Sequence, residues 1–133
     1  MAEEKEENLS EQKCVPCEGG IAPLTRKEAE EYIANLGGKR WEFDDDAKDI
    51  EGEFEFFAGE NWNLKWQNGI KFIQKIAQVA QGENHHPTSI KISAMKDGGL
   101  VKVKFLTHSI GGLSKNDFIM AAKINELFKN KAE

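Results

Sequence analysis

The chain has 133 residues, of which 39% are apolar, and this is the size of one domain with a single core. Its formal net charge of −5 argues against broad affinity for nucleic acid, which depends on clustered lysines and arginines. No window approaches the ~20 apolar residues that a membrane span requires, so a membrane protein is excluded as well.

The first part of the chain is acidic and differs from the rest. Residues 1–13 contain five glutamates, and Leu9 is their only sizeable apolar side chain after Met1. Such a segment buries too little surface to offset the entropy of ordering it. We therefore expect residues 1–20 to be an acidic, disordered tail and residues 21–133 to be the folded domain. The tail lacks the pattern of a secretory signal, so we expect a cytoplasmic protein, with a nuclear pool compatible with this size.

A single Cys-x-x-Cys motif, from Cys14 to Cys17, lies in this tail. Two cysteines supply only half of the ligands of a structural zinc, and no strand and helix border the motif as in a redox protein. The simplest interpretation is that the pair is incidental. A zinc ion shared between subunits and a labile disulfide stay open as alternatives.

The first predicted elements are a helix and two strands. Thr25 and Glu28 have the spacing of a capping box, and Gly37-Gly38 ends the helix. A strand that begins at Trp41 and a second strand over residues 50–57 flank a turn of three aspartates. Apolar and acidic residues alternate in the second strand, which predicts one buried face and one solvated face.

The longest predicted element is a helix that Asn61 caps and Gly82 ends. It carries two apolar stripes at helical spacing. We expect the first stripe to cover the sheet and the second to meet a partner subunit, with packing inside the chain as the alternative. The first stripe consists of Trp62, Trp66, Ile70, Ile73, Ala77 and Ala80. The second stripe consists of Phe72, Ile76 and Val79.

The last part of the chain predicts a second hairpin and a third helix. Alternating strands flank a Lys-Asp-Gly-Gly turn at residues 96–99, since Asp-Gly tolerates positive φ angles. Gly111-Gly112 breaks the chain, and Ser114 caps the final helix. The predicted order is α-β-β-α-β-β-α, an α+β fold with a four-stranded antiparallel sheet and helices packed on one face.

All three histidines lie close together in the sequence. His85 and His86 occupy the turn after the longest helix, and His108 follows the fourth strand. A hairpin brings the outer ends of its strands together, so we expect these imidazoles to meet at one edge of the sheet. Histidine suits proton transfer near neutral pH, and Pro87 would fix how the doublet is presented. A solvated polar loop and a three-histidine zinc site are the alternatives.

Asp117 has two compatible interpretations. It lies three residues after Ser114, so it can complete a capping box at the start of the final helix. Position alone favours this structural role. The same carboxylate can also orient an imidazole.

Three segments together resemble the pterin-4a-carbinolamine dehydratases. They are Glu83-Asn-His-His-Pro87, Thr107-His108 and the Gly-Leu-Ser-Lys-Asn-Asp run at residues 112–117. The likeness extends over about residues 24–128. It implies dehydration of a 4a-hydroxytetrahydropterin to the quinonoid dihydropterin, the recycling step after aromatic amino-acid hydroxylation, with no metal and no organic cofactor.

The resemblance also implies roles for single residues. His85 and His108 would be the acid and base of the reaction, and sequence does not assign which is which. His86 would bind the pterin or act as a second acid or base. Asp117 would orient an imidazole.

Trp41 and Glu83 would contact or orient the substrate, Trp41 by stacking on the flat ring. The resemblance further implies a homo-oligomer, a dimer or a tetramer built through helices. A hydroxylase or a transcription factor would be a further partner, with no direct contact to nucleic acid. The rival function is a non-catalytic module that stabilises the dimer of a transcription factor.

Overall fold

The computed structural model describes residues 9–15, 22–36, 40–44, 46–56, 61–95 and 98–129. The helices in these ranges are α1 (Arg26–Asn35), α2 (Trp62–Glu83) and α3 (Lys115–Lys129). The strands are β1 (Trp41–Phe43), β2 (Ile50–Phe56), β3 (Ser89–Met95) and β4 (Gly98–Phe105). Two short 3₁₀ turns, Leu9–Glu11 and His108–Ile110, precede α1 and α3. No helix in these ranges combines the length and the apolarity that a membrane span needs.

The strands form one antiparallel sheet in the order β1-β2-β4-β3. Each half of the sheet is a hairpin, and β2 pairs with β4 at the centre, from Ile50 opposite Phe105 to Phe56 opposite Gly99. Alternate residues of β2 are buried, as the period-two pattern predicts. The predicted α+β fold and its order of elements are therefore confirmed.

The core lies between one face of the sheet and the helices. At its centre is a group of phenylalanines whose contacting ring centroids lie 5.0 to 5.6 Å apart in tilted and edge-on pairs. The group consists of Phe54, Phe56, Phe72 and Phe128. Because these rings come from β2, α2 and α3, they hold the two longer helices against the same sheet face.

The structure reverses the expected roles of Phe72, Ile76 and Trp66 on α2, while Ala80 of the first stripe is buried as expected. Phe72 and Ile76, expected to meet a partner, are 2% and 0% exposed and lie in the core. Trp66, expected to cover the sheet, is 45% exposed, and Leu64 is 43% exposed. The alternative, that the second stripe packs inside the chain, is therefore correct.

Both ends of α2 have side-chain or backbone caps. Asn61 Oδ1 accepts a hydrogen bond from the Leu64 N–H at 3.0 Å, as predicted. The helix runs past Gly82 and is terminated by Asn84, whose φ of 56° is left-handed. Asparagine tolerates this conformation better than most residues. The chain consequently turns sharply just before His85.

Part of the N-terminal segment packs on the domain. Leu9 is 5% exposed and belongs to the core, and Lys123 Nζ donates to the Ser10 carbonyl oxygen at 2.7 Å. Residues 9–15 of the predicted tail thus contact the folded domain, although their overall composition is polar. The other residues of the predicted tail, Cys17 included, lie outside the described part of the chain.

Candidate active site

The candidate site lies at the edge of the sheet where the turn after α2, the end of β4 and the start of α3 meet. The Thr88 N–H donates to the Lys104 carbonyl oxygen at 2.7 Å, next to the first residue pair of β3 and β4. Beyond β4, Thr107 forms an isolated bridge with Gly112. This loop carries the chain directly into the first turn of α3. The outer ends of the second hairpin therefore meet, as the topology predicts.

His85 and Asp117 form the centre of this site. Nε2 of the imidazole lies 2.7 Å from Oδ1 of the carboxylate, and the two side chains are 11% and 0% exposed. Asp117 Oδ2 accepts hydrogen bonds from Thr107 Oγ1 at 2.8 Å and from the Ser114 N–H at 2.9 Å. When this carboxylate is ionised it only accepts, and Nε2 is then the donor of the shared hydrogen bond. Nδ1 is then the ring nitrogen that can accept a proton from a substrate.

Asp117 serves the helix and the imidazole at the same time. Its bond to the Ser114 N–H is the half of a capping box that a carboxylate at this position supplies. Ser114 Oγ lies 2.7 Å from Thr107 Oγ1, and Thr107 is 3% exposed. Thr107 was not among the predicted site residues. Its place directly before His108 was the signal in the sequence.

Phe105 fixes the plane of the His85 ring. The two rings stack with centroids 6.0 Å apart and an interplanar angle of 6°. The His85 backbone N–H donates to the Ala80 carbonyl oxygen at 3.1 Å, which ties the residue to the last turn of α2. Since Phe105 is fully buried, the imidazole rests on a rigid surface. A group held in one orientation loses little freedom when it reacts.

His86 and His108 are both exposed. His86 directly follows His85, and His108 opens the 3₁₀ turn directly after Thr107. Asp117 joins the two segments, because it binds His85 in one and Thr107 in the other. The structure therefore brings the predicted segments together and leaves two of the three imidazoles open to solvent.

Trp41 lies in the core. It is 5% exposed, its Nε1 donates to Asn125 Oδ1 at 2.9 Å, and its ring lies directly over Gly52. Edge-on and tilted contacts with buried phenylalanines surround it. This burial leaves no ring face open to a flat ligand, so it does not agree with the expected stacking role.

Glu83 also has structural contacts. Its Oε1 accepts a hydrogen bond from the Cys14 N–H at 2.8 Å, and its Oε2 lies 3.7 Å from Lys123 Nζ. The carboxylate thus joins the N-terminal segment to α3, which differs from the substrate contact that we expected. Burial, reinforced by the Glu83 charge, raises the pKa of the Cys14 thiol to about 12. A thiol that stays protonated is a poor nucleophile, which argues against a reactive role for this cysteine.

Two further features bear on alternative sites. Across the described ranges, no three His, Cys, Asp or Glu side chains come together as ligands of a metal ion. A concavity of about 660 Å³ opens elsewhere, and none of the histidines lines it. Its carboxylates, from β1, β2 and the turn between them, are Glu42, Asp44, Asp49, Glu51, Glu53 and Glu55. Proton transfer near neutral pH is better served by the imidazole edge than by this acidic face.

The fold and the site together define an α+β protein with a carboxylate-bound histidine at one edge of the sheet. Known proteins have sequences similar to this one. The family described as Pterin 4 alpha carbinolamine dehydratase matches residues 22–127. A Methylococcus capsulatus protein, provisionally named a pterin-4-alpha-carbinolamine dehydratase, is 40% identical over 120 residues, which are 90% of this chain and 93% of the relative. The mitochondrial pterin-4-alpha-carbinolamine dehydratase 2 of Arabidopsis thaliana is 34% identical, over 90% of this chain and 59% of the relative.

A solved structure is similar as well. The crystal structure of a transcriptional coactivator/pterin dehydratase from Brucella melitensis superposes with a TM-score of 0.61 at 25% identity. The match covers 80% of this chain and 98% of that one. The chain therefore belongs to the pterin 4 alpha carbinolamine dehydratase family, and the matched range contains the whole segment from His85 to Asp117.

Proposed function

We propose that this protein dehydrates a 4a-hydroxytetrahydropterin to the quinonoid dihydropterin by histidine acid–base catalysis, in the recycling of tetrahydrobiopterin. The observation that carries the proposal is the 2.7 Å hydrogen bond between His85 and Asp117, next to segments that expose two more imidazoles. Membership of the family supports the substrate class.

The proposed reaction removes one molecule of water from the pterin. A base takes the proton from N5 while the bond between C4a and its hydroxyl oxygen breaks. An acid protonates the departing hydroxyl, and the electron pair from N5 forms the double bond to C4a. Atoms and charges balance without a metal or a redox partner, so two positioned proton-transfer groups are sufficient.

His85 is the group best suited to act as the base. Its Nε2–H is engaged by Asp117, which leaves the lone pair of Nδ1 for the N5 proton. The imidazolium that forms would be stabilised by the buried carboxylate. His108 would then be the acid. His86, its exposed neighbour in the doublet, would bind the pterin or supply a second acid.

A stopped-flow assay of 4a-hydroxytetrahydropterin loss, with and without protein, tests the activity. We expect His85→Ala and His108→Ala each to lower turnover by roughly 10²–10⁴-fold while circular dichroism shows a folded protein. Wild-type turnover in either variant would contradict the assignment of that histidine. A wild-type protein that leaves the spontaneous rate unchanged would contradict the activity itself.

We also propose a homo-oligomer, a dimer or a tetramer, that forms through the outer face of α2. Trp66 exposes more than two-fifths of its surface on this face, and Ile70 and Ile73, which follow it at helical steps of four and three, are partly exposed. Exposed apolar patches of this kind mark association surfaces. Light scattering should give a mass that is a multiple of 15.0 kDa and a smaller mass for Trp66→Glu. A wild-type protein that is strictly monomeric would contradict the proposal.

A second candidate function is that of a binding module for a transcription factor. The observation that favours it is the description of the Brucella melitensis protein as both a coactivator and a pterin dehydratase. This function would be supported if the purified protein bound such a partner and yet failed to accelerate pterin dehydration. Normal dehydration together with no partner binding would support the enzyme alone.

The cellular compartment stays a prediction. We propose the cytoplasm, with a nuclear pool. The Arabidopsis thaliana relative carries a mitochondrial location in its name. Fluorescence microscopy of the tagged full chain would distinguish these locations.

A further inference from the structure

We propose that residues 9–15 form a strap that positions the His85–Asp117 pair, and that Asn116 is the residue through which the strap acts on it. The inference rests on the proposed function, since positioning matters only for a pair that transfers protons. Neither Asn116 nor the strap was among the expected site residues. Both follow from contacts that link the N-terminal segment to two helix ends.

The first link joins the strap to the start of α3. Asn116 Nδ2 donates to the Val15 carbonyl oxygen at 2.6 Å, and Asn116 Oδ1 accepts from the Val15 N–H at 3.0 Å. One side-chain amide thus pairs with both polar groups of one backbone residue, as a neighbouring strand would. Asn116 is 3% exposed, so water competes little for these bonds. The next residue in the chain is Asp117.

The second link joins the strap to the end of α2. The Cys14 N–H donates to Glu83 Oε1 at 2.8 Å, and Glu83 lies two positions before His85. Lys123 Nζ on α3 completes the arrangement, because it lies 3.7 Å from Glu83 Oε2 and donates to the Ser10 carbonyl oxygen at 2.7 Å. Strap, α2 and α3 therefore form a closed ring of polar contacts.

The strap spans the same two helix ends that the hydrogen bond between His85 and Asp117 spans. Proton-transfer groups lose efficiency when their supporting contacts allow displacements of about 0.5 Å. The strap meets this requirement with backbone hydrogen bonds at Cys14 and Val15, while Val15 itself is 66% exposed. Leu9, buried at the far end, keeps the segment in place. Loss of the strap should therefore loosen the pair before it unfolds the domain.

Asn116→Ala is the test variant, and Asn125→Ala is its matched control. Both residues lie on α3, and each makes two side-chain hydrogen bonds, those of Asn125 to Trp41 Nε1 at 2.9 Å and to the Leu36 carbonyl oxygen at 3.4 Å. Only Asn116 contacts the strap. A general loss of stability would affect both variants, whereas a loss of positioning would affect only Asn116→Ala.

Two readouts are needed, and one of them requires no substrate. Nitrogen-15 NMR of the full chain follows the His85 Nε2–H, whose exchange with solvent should become roughly 10-fold faster in Asn116→Ala and stay unchanged in Asn125→Ala. In the dehydration assay, Asn116→Ala should lower kcat roughly 10-fold with little change in KM, since the strap touches no substrate. Equal exchange rates in the two variants, or a loss that appears only in KM, would overturn the proposal. If the wild-type protein proves inactive, the exchange rates still decide the role of the strap.

A pair of substitutions at Val15 tests the same link from the strap side. Val15→Pro removes the N–H that Asn116 accepts, and Val15→Ala keeps it and trims only an exposed side chain. Val15→Pro should reproduce the faster exchange and the lower kcat of Asn116→Ala, and Val15→Ala should match the wild-type protein. Wild-type behaviour of Val15→Pro would contradict the proposal.

Discussion

Two regions of this molecule carry buried or partly buried carboxylates, and they use them in opposite ways. Asp117 is 0% exposed and accepts three hydrogen bonds, one of them from an imidazole. Asp49 lies on the acidic sheet face, where burial and the neighbouring charge of Asp44 raise its pKa and Lys104, at 4.0 Å, partly offsets them. The first carboxylate is surrounded by donors and the second by other carboxylates.

The concavity and the imidazoles lie in different parts of this chain, so they make different predictions about where a substrate binds. The acidic concavity has a volume of about 660 Å³, and its lining residues include no histidine, the side chain that ordinarily titrates near neutral pH. At the histidine edge, both carboxylate oxygens of Asp117 have defined hydrogen-bond partners. Directed donors convert a buried charge into a fixed support for an imidazole.

The largest expected contrast comes from removing one charge in each region. Asp117→Asn keeps the shape of the side chain and loses the charge that would stabilise an imidazolium. We expect turnover to fall roughly 10²-fold in the stopped-flow assay. Glu53→Gln, whose side chain is 54% exposed on the acidic face, should keep the wild-type turnover. Equal losses in the two variants would remove the distinction between the regions.

A smaller effect is expected from the hydroxyl that orients the carboxylate. Thr107→Val removes the donor to Asp117 Oδ2 at nearly constant volume. Because the oxygen is buried, we expect a loss of about 1–3 kcal/mol in unfolding free energy together with a lower kcat. Thr88→Val, at an exposed position beside the same edge, should change neither quantity. Urea unfolding and steady-state kinetics measure both, and an unaffected Thr107→Val would show that Asp117 needs only two donors.

The core position of Trp41 predicts an effect on stability alone. A Cβ added at Gly52 would lie 2.7 Å from atoms of the indole ring, so Gly52→Ala should cost about 1–3 kcal/mol of unfolding free energy. Gly82→Ala, with nothing within 4 Å of the added atom in exposed helix, should instead gain about 0.5–1 kcal/mol. Turnover per folded molecule should stay at the wild-type value in both. A raised KM in Gly52→Ala without a loss of stability would restore the stacking role of the tryptophan.

The smallest expected effect concerns the acidic face and pH. Because the pKa of Asp49 is higher in the native state than in the unfolded chain, protonation of Asp49 stabilises the native state. This stabilisation is fully present below the ordinary pKa of 3.8 and is lost as pH rises through the higher native pKa. Asp49→Asn should therefore be more stable than the wild-type protein at pH 7, by about 0.5 kcal/mol or less. Urea unfolding should show the difference shrinking at pH 3. A destabilised variant at pH 7 would mean that the ion pair with Lys104 outweighs the repulsion.

The fold could be predicted from the sequence because its signals are local. Capping residues, alternation and turns determine the elements, and a hairpin must bring its outer ends together, which placed His85 near the segment of Asp117. The inward face of α2 could not be predicted in this way. That face includes Lys65 and Gly69, and a Cβ at Gly69 would lie 2.8 Å from Ile92. A hydrophobic pattern does not predict that a glycine lies on the buried face of a helix, where its missing side chain lets the helix lie close to the sheet.

The site could be predicted only where its residues have characteristic chemistry. Histidines and an aspartate at a helix start have such chemistry, whereas a hydroxyl at Thr107 or an amide at Asn116 occurs in many contexts. The composition of residues 9–15 is polar and does not predict a packed segment, because the contact with the core depends on one residue, Leu9. Trp41 and Glu83 were assigned to the substrate by resemblance, and their actual partners lie far apart in sequence.

The most direct test of the proposed site is a titration of the full chain with 7,8-dihydrobiopterin, a pterin without the leaving hydroxyl, followed by NMR. The chain has three histidines, so each ring signal can be assigned separately. We predict that the rings of His85, His86 and His108 shift and saturate together while the amides of Asp49 and Glu53 do not move. Unchanged histidine signals, with shifts confined to the acidic face, would contradict the proposed site.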